Sequence, residues 1–99
     1  MPLYVAEFAN IGLDSNNKLI NAVPMPPLAE QTVAIGAASV QSTVFGLNTF
    51  MIRVHTDVVC SILVGTNPTA TATRARMAAG QTEYFSVQPG TRIAVITNV

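Results

Sequence analysis

Charge is what this sequence has least of. Five basic and five acidic side chains make up 10% of its 99 residues, against about 25% in an average globular chain, and the formal net charge is zero. With 49% hydrophobic residues the chain does not belong among disordered sequences, which combine few apolar residues with high net charge. Lacking a basic excess, it is not built to neutralise phosphates, so nucleic acid is not an expected partner. Tryptophan is absent, and cysteine occurs once, at Cys60, which excludes an intramolecular disulfide. One histidine and one cysteine, with no Cys-x-x-Cys or His-x-x-x-His spacing, do not supply the ligands of a zinc site. The glycines are isolated and form no phosphate cradle, so no cofactor is expected. Long apolar runs are missing too. The longest candidate, Val58 to Val64, is seven residues containing Ser61, well short of the roughly 18 to 20 that a helical span needs. The first residues, MPLYVAEFANIGLD, lack a basic region leading into an apolar run, so neither a membrane association nor a secretory leader is expected.

What is abundant is β-branched. Thr, Val and Ile supply 30 of the 99 residues, and their stiff χ1 favours pleated strands. No window repeats apolar positions at helical spacing with charges opposite. Strands are expected at Leu3 to Phe8, Gln31 to Ile35, Val40 to Phe45, Asn48 to His55, Val58 to Val64, Glu83 to Gln88 and Thr91 to Thr97. Turn signals at Gly65-Thr-Asn-Pro68 and Pro89-Gly90 separate several of them. Short strands at such intervals predict an all-β, antiparallel fold, a β-sandwich or barrel.

Residues 1–28 read as an N-terminal strand followed by a turn-rich stretch from Asn10 to Asn17 and an extended arm; residues 29–99 read as the sandwich domain. Pro24, Pro26 and Pro27 remove three backbone donors and favour an extended backbone, and Val23, Met25 and Leu28 give that arm apolar side chains. If Thr56 and Asp57 form a two-residue hairpin loop, Met51, Arg53, His55, Val58, Cys60 and Ile62 share one face, with Phe50, Ile52, Val54, Val59, Ser61 and Leu63 on the other. Such a hairpin is apolar on both sides and is expected to be covered on both, by the arm at 21–28 or by another subunit.

A Cys60–His55 nucleophile would need an orienting group and a cleft, and neither is apparent in the sequence; a small apolar cysteine and an interface histidine are expected instead. The carboxylates Glu7, Asp14, Glu30, Asp57 and Glu83 are unpaired in sequence. No enzymatic activity is therefore expected. Arg74 and Arg76 fall on one side of an extended segment, where guanidinium groups suit interface contacts.

A domain of this size buries only roughly 60 to 65% of its unfolded surface, and ten charges do not hydrate the remainder. Part of the apolar surface is expected to face another copy or a partner. The segments Gly65 to Ala70, Glu83 to Phe85 and Pro89-Gly90, within residues 57–97, resemble a pattern found in small virion proteins of tailed bacteriophages; Met77-Ala78-Ala79-Gly80 departs from it by lacking a proline. The resemblance implies a sandwich or jelly-roll-like subunit of the virion, acting as a capsid decoration (cement) protein or a related head or tail component. The expected partners are itself, as a dimer or trimer, and the major capsid protein or other virion subunits. The alternative is a ligand-binding sandwich, for instance a carbohydrate-recognising module, whose sites usually show aromatics exposed on one face, and only six aromatics are present.

Overall fold

The computed structural model describes residues 2–10, 15–16, 18, 22–23 and 25–98. Parts of the expected turn-rich stretch and of the arm, including Asn21 and Pro24, lie outside the described residues. Among these residues there is no helix. Eight strands form: β1 (Pro2–Phe8), β2 (Ala29–Ala34), β3 (Val40–Gln41), β4 (Met51–Thr56), β5 (Cys60–Gly65), β6 (Ala75–Met77), β7 (Thr82–Ser86) and β8 (Arg92–Thr97). They make two antiparallel four-stranded sheets, in the orders β2-β1-β4-β7 and β3-β8-β5-β6.

The sheets share one core, as alternation requires of strands with one buried face. Leu3, Val5, Val33, Ile52 and Val54 point inward from the first sheet, against Cys60, Ile62, Met77, Ile93 and Val95 of the second, and Phe45 and Val87 fill in from the connections. Each fully buried aliphatic or aromatic side chain stabilises the fold by roughly 1.5–3 kcal/mol. Because β1 lies between β2 and β4 and feeds this core, residues 2–8 belong to the same folded unit as residues 29–98, and the expected division at residue 28 is redrawn.

The pairs β3·β8, β4·β7 and β5·β6 are successive rungs of one antiparallel ribbon folded over on itself, β1 pairs with β2, and β1·β4 and β8·β5 close the two sheets. The turn at Pro89-Gly90 forms as its residues predict: Gly90 has φ +81°, and the Thr91 amide donates to the Gln88 carbonyl at 3.3 Å. The expected strand over Val40 to Phe45 is cut to two residues. At Ser42 the side-chain oxygen, in place of a backbone carbonyl, accepts the Ile93 amide at 3.1 Å, which ends the regular ladder.

The expected hairpin at Thr56-Asp57 does not form; β4 and β5 lie in different sheets. Both edges of β4 are already occupied, by β1 and by β7, so β5 has no edge there to pair with. Thr56 fixes the corner. Its hydroxyl donates to the Val58 carbonyl at 2.6 Å and its carbonyl accepts the Gly80 amide at 2.8 Å. Through this corner the even-numbered side chains Ile52, Val54, Thr56, Cys60 and Ile62 all stay inward, so Cys60 and Ile62 belong to the core.

The outer face of the second sheet is covered by a segment of the chain itself. Residues 66–74 strap across it. Gln41 Nε2 donates to Asn67 Oδ1 at 2.9 Å and to the Pro68 carbonyl at 2.7 Å, Ser39 Oγ accepts the Ala70 amide at 2.8 Å, and Asn98 Nδ2 donates to Ser61 Oγ at 2.7 Å and to the Ala72 carbonyl at 3.3 Å. Beneath the strap Ser61 and Ala94, which point away from the core, are fully buried.

Candidate functional site

Two surfaces stand out, and adjacent residues of β1 serve them. The first is at one end of the sandwich. Alternation along β1 sends Leu3, Val5 and then Glu7 inward, so a carboxylate sits almost wholly buried at the end of the core. It does not lack partners. Glu7 Oε1 accepts the Thr49 hydroxyl at 2.8 Å and the Gly46 amide at 3.0 Å, while the Glu7 backbone carbonyl accepts the Leu28 amide at 2.7 Å. One residue thereby fixes both the turn over 46–49 and the segment entering β2. Those two segments, with Val44, surround a concavity of about 460 Å3. Leu28 is 56% exposed there, Val44 about half exposed, and Leu47 at the tip of the turn 88% exposed. Met25, in the same entering segment, is 72% exposed.

The second surface is the outer face of the first sheet, which no strap covers among the described residues. The strand register sets out two rows across it: Thr32, Tyr4, His55, Thr82, and then Glu30, Ala6, Arg53, Tyr84. His55 is held at one ring nitrogen. Nδ1 is 2.7 Å from Thr82 Oγ1, within hydrogen-bond distance, and Asp57 Oδ1 lies 3.8 Å from Nε2, a nearby carboxylate beyond hydrogen-bond distance. The Tyr4 ring packs tilted against the imidazole at 6.2 Å. Ala6, the smallest side chain in either row, floors a depression of about 600 Å3 bordered by Tyr4, Glu30, Thr32, Arg53 and His55.

These positions rearrange the residues singled out from sequence. Met25 and Leu28 are exposed and Val23 is half-buried. Met51, Arg53 and His55 do lie on an outer face, as alternation implied. Val58 instead packs against the core and Ile62 is 4% exposed within it, so the expected Met51/Val58/Ile62 face does not exist as one surface. Arg74 and Arg76 are exposed, at the edge of the second sheet. Cys60 is fully buried beside Thr56, its Sγ donating to Thr56 Oγ1 at 3.5 Å, and burial pushes its thiol pKa up. It is in the core while His55 is on the outside of the opposite sheet, so the two do not form a thiolate–imidazole pair. Among the described residues no group of three or more His, Cys, Asp or Glu is placed to hold a metal.

Glu7, Val44 and Leu47 were not singled out by sequence. The available signal for Glu7 was an acidic residue in phase with Leu3 and Val5. Leu47 gave none, because one leucine in a turn looks the same whether buried or exposed.

No protein family, curated protein or solved structure matches this chain.

Proposed function

We propose that the chain is a non-enzymatic assembly subunit of a virion, a capsid decoration protein or related head or tail component, that binds its lattice through the apolar end of the sandwich. The observation that carries this reading is Leu47, a leucine left 88% exposed on a turn held in place by a buried carboxylate. A mobile loop could fold an apolar side chain away; this turn is pinned, so Leu47, Leu28 and Val44 are presented to whatever covers them. The resemblance of residues 57–97 to tailed-phage virion proteins supports the same reading. So does the arrangement in two antiparallel four-stranded sheets, which is compatible with a sandwich-like virion subunit.

A subunit that binds the assembled lattice but not free capsid protein stabilises the shell by mass action, more so as its concentration rises above Kd. The partners proposed are the major capsid protein and further copies of this chain, as a dimer or trimer. The test is co-sedimentation of the purified chain with heads of a phage encoding it, alongside light scattering of the chain alone. Wild type is expected to pellet with heads or to self-associate, and Leu47→Asp to do neither while keeping its melting temperature. A strictly monomeric wild type that stays in the supernatant overturns the reading.

A further inference from the structure

The outer face of the first sheet calls for a different ligand from the apolar end. Its two rows hold a guanidinium, a carboxylate, an imidazole, two threonine hydroxyls and two tyrosine rings, with Tyr4 and Tyr84 each about half exposed. Arg53 and Glu30 flank Ala6 from the neighbouring strands. Two strand spacings place their backbones roughly 9.5 Å apart. Among the described residues neither side chain makes an ion pair or a side-chain hydrogen bond. His55, by contrast, is hydrogen-bonded to Thr82. The face thus offers one open donor fork and one open acceptor on either side of a hollow whose floor is a methyl group and whose wall is a tyrosine ring.

Ligand classes separate on this chemistry. A phosphate or nucleic acid meets Glu30 and Asp57 beside Arg53, with no net positive charge to draw it in. An apolar protein surface would strip water from Arg53 and Glu30 and return no hydrogen bonds, a desolvation cost that such a contact does not offset. A sugar ring matches. Its vicinal hydroxyls both donate and accept, so they can serve Arg53 and Glu30 together, and its C–H face is apolar and flat enough to lie on an aromatic ring. A depression of about 600 Å3 holds one pyranose with room for its neighbour.

We propose that this face is a carbohydrate-binding surface, on which a pyranose seats over Ala6 with its hydroxyls between Glu30 and Arg53 and its C–H face on Tyr4, and the adjoining sugar extends across Arg53 to Tyr84. The proposal is independent of the lattice contact, which uses the other end of the molecule.

The probe is a printed array of hexose, N-acetylhexosamine and deoxyhexose oligosaccharides, followed by amide chemical-shift titration of the wild-type chain with the strongest hit. Expected are shifts confined to β1, β2, β4 and β7, and affinity lowered roughly tenfold or more by Arg53→Gln or by Tyr4→Ala, the weight of one charge-assisted or stacking contact. Ala6→Leu fills the floor and is expected to abolish binding. Leu47→Asp is expected to leave it unchanged, which separates this site from the lattice surface. All four positions are on the outside of the fold, and an unchanged melting temperature identifies the variants that remain folded. The proposal is overturned if no array member binds the wild type, if shifts map to the apolar end, or if folded Arg53→Gln and Tyr4→Ala bind as wild type does.

Discussion

Glu7→Ala is the perturbation that most directly tests how the apolar end is held. In the native chain one carboxylate oxygen accepts two hydrogen bonds, from the Thr49 hydroxyl at 2.8 Å and the Gly46 amide at 3.0 Å. Bonds to a charged acceptor contribute about 1.5–3 kcal/mol each, and Thr49, almost fully buried, would be left with an unmet donor. Water entering the space left by the side chain recovers part of this, so a net loss of about 2–4 kcal/mol is expected. For a domain near 100 residues that corresponds to a fall in Tm of about 10–25 °C. Glu7→Gln keeps an oxygen acceptor but loses the charge and is expected to cost about 1 kcal/mol. The assay is urea unfolding of both variants, with Thr49→Val and the Glu7→Ala/Thr49→Val double variant completing a cycle. A coupling of about 1–2 kcal/mol between positions 7 and 49 is expected. If Glu7→Ala lies within about 0.5 kcal/mol of wild type, or the cycle is additive, Glu7 does not hold the turn.

Two further outcomes follow from the corner at Thr56. Ile62→Ala, a truncation in the core, is expected to cost about 2–4 kcal/mol by urea unfolding, and Met51→Ala on the outer face of the first sheet less than about 1 kcal/mol; a hairpin at Thr56-Asp57 would put the two on one face and bring the values together. Cys60 is expected to react with a disulfide reagent only as fast as the core opens. Burial raises its thiol pKa, so between the unfolded value of about 8.5 and the higher native value the unfolded chain has lost a proton that the native chain keeps, and stability falls as pH rises through that window. Cys60→Ala should remove this alkaline decline relative to wild type; an identical decline in both would assign it to other groups.

Alternation made much of the fold legible. Leu3 and Val5, and Ile52 and Val54, announced inward faces that the structure keeps, and Pro89-Gly90 announced its turn. What alternation does not encode is which strand lies beside which. The segment from Met51 to Val64 reads equally as a hairpin or as a crossing between sheets until the edges of β4 are known to be taken, and they are taken by β1 and β7, distant in sequence on either side. One trace of the crossing was present. Ile52, Val54, Thr56, Val58, Cys60 and Ile62 keep the same parity throughout, whereas a two-residue hairpin loop would switch it. The strap was illegible for another reason: Thr69-Ala-Thr-Ala-Thr73 has no bulky apolar residue, and it is held by Ser39, Gln41 and Asn98, whose hydrogen bonds leave no pattern in sequence. The same limit applies at the candidate site, because Tyr4, Glu30, Arg53 and Tyr84 come from four separate strands and meet only through register.

The scarcity of charge takes on a different meaning once the strap is seen. A sandwich with few ions and apolar strands need not have all of its outside covered by partners, since residues 66–74 already cover one sheet. What remains uncovered is unequal. The end at Leu28, Val44 and Leu47 is apolar, while Glu30, Arg53 and Asp57, three of only ten charged residues, sit with His55 on the open face of the other sheet. A fourth, Glu7, is buried to hold the apolar end in position. Four of the ten charged residues therefore lie at these two surfaces, while others, such as Arg74 and Arg76, are exposed elsewhere. Successive residues of β1 divide the two tasks: Ala6 faces out beneath the polar hollow and Glu7 faces in beneath the apolar turn. Because a strand sends neighbouring side chains to opposite faces, each surface can be altered without touching the other, so the proposed lattice contact and the proposed sugar site are separable by substitution.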